Sequence, residues 1–76
     1  MSYNKLRGKI REAFGTQEAF ALAMGIDVST LSQKLNGKVE FKQTEIIRAC
    51  NLLNIPITDV HIYFFAVKVG ISKQDD

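Results

Sequence analysis

Apolar residues recur at helical spacing through most of this chain, and the places where the spacing breaks mark the ends of short helices. Leu6, Ile10 and Ala13 share one face of the segment Asn4 to Phe14, which predicts an amphipathic first helix closed at Phe14-Gly15. Thr16 then offers an N-cap oxygen, Glu18 an acidic first turn, and Gln17 to Ala23 a run that tolerates a helix. Gly25 falls where the chain must leave that helix through a left-handed residue, and Asp27 is placed to cap a third helix from Val28 to about Asn36, ended by Gly37. After the connector KVEFK, with Phe41 its expected core anchor, a fourth helix is predicted from about Gln43 to Leu53. Ile46, Cys50 and Leu53 mark its buried face. Asn54 can end it left-handed, Pro56 blocks its continuation, and a fifth segment starts near Thr58.

Spacing successive residues of the third helix by roughly 100° puts Leu31 and Leu35 on one face. Ser29 and Gln33 fall opposite, flanked by Thr30, Ser32 and Asn36, a row of small and amide side chains offered outward. On its own such a row is the solvated face of an ordinary helix. In a DNA major groove the same residue types have a use. Gln pairs bidentately with the N6 and N7 edge of adenine, Ser donates or accepts, and an apolar residue such as Val28 touches a thymine methyl.

Two short helices joined by a tight turn, from Thr16 to Lys38, resemble the helix-turn-helix of the lambda-repressor and Cro-like family of phage and bacterial DNA-binding proteins. The similarity rests on linked positions: Gln17, Ala21 four residues on, the turn Gly25, the core Leu31, and the closing Asn36-Gly37. It extends over roughly Leu6 to Tyr63. It implies an all-α, five-helix lambda-repressor-like domain over residues 1–65, with residues 66–76 as a tail. By the same resemblance Gln17 braces the DNA backbone, Val28, Ser29 and Gln33 reach base edges, and Asn36 and Lys38 lie near phosphates.

Composition agrees with one small domain. Seventy-six residues bury a single modest core, and a hydrophobic fraction of 46% excludes a disordered chain. The sequence has no apolar run long enough for a membrane span, and its N-terminus has no apolar signal core, so a cytoplasmic protein is expected. The lone Cys50 reads as a buried small hydrophobe. The formal charge is +2, with Lys5, Arg7, Lys9 and Arg11 along the first helix and Lys34, Lys38, Lys42 and Arg48 later, which fits contact with phosphates or simply solvated faces.

Toward the C-terminus the pattern changes. Val60, Ile62, Tyr63, Phe64 and Phe65 are too dense for one buried stripe. Beyond them Phe65, Val67, Val69 and Ile71 alternate with Ala66, Lys68, Gly70 and Ser72, a period of two that favours a strand. Such a segment either pairs with its counterpart across a two-fold axis, as the Cro resemblance implies, or folds back over its own core.

Two functions follow from these residues. The first is a sequence-specific transcriptional regulator that occupies a palindromic operator in double-stranded DNA as a homodimer. The second is a phage modulator or antirepressor that uses Val28, Ser29 and Gln33 to bind a partner repressor protein and mask its DNA-binding surface. The second is suggested by the absence of Arg from the third helix, since Arg on guanine is the commonest specific base contact. Catalysis is not expected, because His61 has no nucleophile or carboxylate constellation beyond Asp59. One His and one Cys do not make a structural zinc site, and no cofactor is expected.

Overall fold

The computed structural model describes residues 3–64. Its elements follow the predicted order: α1 (Asn4–Phe14), α2 (Gln17–Met24), α3 (Val28–Leu35), α4 (Gln43–Leu53), a 3₁₀ turn (Ile57–Asp59) and α5 (Val60–Phe64). The architecture among the described residues is all-α. The alternating segment with Phe65, Val67, Val69 and Ile71 lies outside the described residues.

Local chemistry sets the helix ends. Thr16 Oγ1 accepts the Ala19 amide at 3.1 Å, which starts α2, and Gly25 ends it in a left-handed conformation with φ 78°. Asn54 ends α4 at φ 57°, a strained value for a residue with a Cβ that Asn tolerates better than most. Pro56 follows. Asp27 stands at the N-cap of α3 but makes no side-chain cap bond there. Its carboxylate instead accepts the Ser29 hydroxyl at 2.7 Å.

One core joins the helices. α1 packs on α2, α4 and α5, while α2 packs on α3 and α4. Leu6 and Ile10 of α1 meet Phe20, Ala21 and Met24 of α2, Leu31 and Leu35 of α3, and Ala49, Cys50 and Leu53 of α4. The expected α1 stripe is shifted by one residue, because Ala13 is exposed and Phe14 takes its place, its ring 5.3 Å from that of Phe20. A large ring gains more from that contact than a methyl group. Phe41 anchors the α3–α4 connector as expected, with its ring edge-on to Tyr3 at 5.5 Å and to Phe64 at 5.2 Å. Phe64 is buried, and Val60, Ile62 and Tyr63 are half-buried, so α5 covers the core rather than standing away from it. Burial pushes the Cys50 thiol above its ordinary value, which keeps it protonated and inert.

Candidate functional site

The α2–turn–α3 unit carries the residues singled out from the sequence. Leu31 and Leu35 point into the core, and that orientation turns the opposite side of α3 outward. Ser29, Gln33, Asn36 and Lys38 are exposed, Val28 is 38% exposed, and Thr30 and Ser32 are half-buried at the edges of the row. Gln17 is half-buried at the start of α2. It borders a small polar cleft of about 180 Å³ together with Arg7, Arg11 and Thr16.

The cations near this unit are mostly engaged within the fold. Lys34 does not lie at the side of α3 in solvent. It is 3% exposed, its Nζ 3.0 Å from Glu45 Oε1 on α4, and it donates to the Glu40 carbonyl at 3.1 Å. Burial raises the cost of charging Glu45, yet the Lys42 amide at 2.8 Å and the Lys34 ammonium outweigh it and hold the carboxyl below its ordinary value. Arg7 donates to the Leu35 carbonyl at 3.0 Å and to Asn36 Oδ1 at 2.7 Å, closing the C-terminal end of α3. Arg48 does the same for α2, donating to the Met24 carbonyl at 2.9 Å. Cations at helix C-termini are favourably placed, since unpaired carbonyls and the helix dipole both attract them.

The electrostatic consequence is local. From Thr16 to Gly37 the sequence holds one cation, the buried Lys34, while Glu18 and Asp27 are both exposed. The Asp27 carboxylate lies against Ser29, one of the residues expected to read bases. Lys38, just past the helix, is the exposed cation that borders the row.

Two apolar features escaped the sequence pattern. Leu22 is 83% exposed on the outer side of α2. In a segment where every residue from Ala19 to Met24 is apolar, periodicity does not say which one faces out. An open groove of about 450 Å³, with no residue of α2 or α3 in its lining, is bordered by Ile57 and Ile47, 68% and 47% exposed, together with Phe41, Gln43, Ile46 and Val60. Among the described residues, no helix is long and apolar enough to cross a membrane.

Residues 1–67 match a family described as a protein of unknown function, DUF739. The chain belongs to that family. It is also similar to the modulator of repression of the temperate bacteriophage TP901-1 from Lactococcus lactis, known as a solution structure. The two are 47% identical and superpose with a TM-score of 0.76 over 84% of this chain and 86% of that one. No functionally curated protein gave a significant match.

Proposed function

We propose that this chain is a phage regulatory protein that binds a partner repressor and masks the partner's DNA-binding surface. The observation that carries the proposal is the likeness to a phage modulator of repression, 47% identical over most of both chains. The charge arrangement supports it. Non-specific DNA affinity comes from cations that displace counterions from phosphates. On the α2–turn–α3 unit the cation is locked against Glu45 and two carboxylates remain outside. Such a surface opposes a phosphate backbone and suits the cationic face of a protein that reads DNA. Val28, Ser29 and Gln33 are the contact residues on α3. The activity is binding alone, without catalysis, cofactor or metal.

A second reading is a lambda-repressor or Cro-type operator-binding dimer, favoured by the exposed row of Ser29, Gln33 and Asn36 and by Gln17 beside Arg11 at the cleft where α2 begins. On that reading Gln17, Asn36 and Lys38 meet the backbone, while Val28, Ser29, Thr30, Ser32 and Gln33 face the bases. Phe65, Val67, Val69 and Ile71 then supply the dimer contact. Gel mobility shift separates the two. Release of operator DNA from the phage's own repressor on adding this chain supports the modulator. Retention of the same DNA by this chain alone supports the operator-binding dimer.

A further inference from the structure

We propose that the outer face of α2, centred on Leu22, is the apolar anchor by which this chain holds the cationic, DNA-reading face of a partner repressor. This rests on the modulator reading above and extends the contact surface beyond α3. A helix that is apolar all round ordinarily lies inside a protein. α2 has that composition from Ala19 to Met24, and the fold covers one side of it: Phe20, Ala21 and Met24 are buried, whereas Ala23 is exposed and Leu22 is 83% exposed. A lone exposed Leu is unremarkable. Here the whole outer side of the helix lacks the polar residues that solvent would favour, apart from Glu18.

Glu18 precedes Leu22 by one helical turn and shares its face. Across the turn 25–27, exposed Val28 opens α3 beside the Asp27 carboxylate. Leu22 and Val28 are thus two exposed apolar residues on a unit whose own exposed charges are the carboxylates of Glu18 and Asp27; the exposed Arg48 reaches the turn from α4, but its guanidinium is engaged on the Met24 carbonyl at 2.9 Å. Charge complementarity then selects the occupant. A DNA-reading face carries Lys and Arg for phosphates, and those side chains match Glu18 and Asp27, while Leu22 fills an apolar depression between them. Nucleic acid itself is repelled by the same carboxylates. The groove beside Ile47 and Ile57 is equally apolar, but no acidic side chain lines it. It therefore serves as an internal control.

The test measures the dissociation constant of the full chain for the purified repressor of the same phage, by fluorescence anisotropy at two salt concentrations. Leu22→Ala keeps the helix, because Ala is the best helix former, and its thermal melt should match the parent. It is expected to weaken binding at least tenfold. Glu18→Gln is expected to weaken binding about threefold at low salt and to reduce the salt dependence, and Ile57→Ala to leave binding unchanged. Parental affinity for Leu22→Ala overturns the anchor, and so does a loss seen with Ile57→Ala instead. A parent chain that does not bind the repressor overturns the modulator reading itself, a result distinct from either.

Discussion

The pair Lys34–Glu45 shows how one residue can change the character of a surface. Its side chains are 4% and 13% exposed and lie 3.0 Å apart, joining α3 to α4. Removing one partner leaves a charge without compensation, which costs about 3 kcal/mol in such a setting, whereas a domain of this size has about 4 to 11 kcal/mol in total. Lys34→Met is therefore expected to bring urea unfolding to a much lower midpoint. Lys34→Met with Glu45→Gln should recover part of the loss, because a neutral amide oxygen still accepts the Lys42 N–H. The pH dependence has a definite sign. Glu45 titrates below its ordinary value of 4.5 when folded, so its contribution is present above that pH and is lost as pH falls through the lower folded value. Denaturation at stepped pH should show a decline below about pH 4.5 that Glu45→Gln flattens. None of this was legible in the sequence. Lys34 looks like a solvated helix cation until α4 brings Glu45 against it.

At the scale of elements, the boundaries were legible because they depend on short-range chemistry. Thr16 and Gly25 set the ends of α2 through a cap oxygen and a left-handed φ, both decided within a few residues. Thr16→Ala is expected to cost about 1 kcal/mol by thermal melting. Gly25→Ala should cost about 1 to 2 kcal/mol for a different reason. A Cβ there would meet Arg48 Nη1 at 3.9 Å, an ordinary contact, so the penalty is conformational alone. Gly25→Asn, which tolerates left-handed backbone, should lose less. Sequence reasoning failed where an element's pattern was uniform or its partners distant. In α2 the apolar run hid the exposure of Leu22, and Arg7 and Arg48 gave no local sign that they would close α3 and α2 from other helices.

Across the whole molecule, the net charge of +2 and its local distribution point in different directions. The sum suggests a nucleic-acid partner. The distribution puts carboxylates, two exposed apolar residues and neutral polar groups on the α2–turn–α3 surface, with Lys34 buried and Arg7 and Arg48 engaged on helix-end carbonyls. Truncation after Phe65 bears on the remaining element of the operator-binding alternative. Sedimentation should show that a dimer, where the parent forms one through Phe65, Val67, Val69 and Ile71, becomes a monomer. The most direct measurement of the central claim is amide chemical-shift mapping of this chain as the phage repressor's DNA-binding domain is added. Shifts concentrated at Leu22, Val28, Ser29 and Gln33, with Ile47 and Ile57 unmoved, are the predicted result. Shifts confined to the Ile47–Ile57 groove, or a response of the α3 row to operator DNA and not to the repressor, would contradict it.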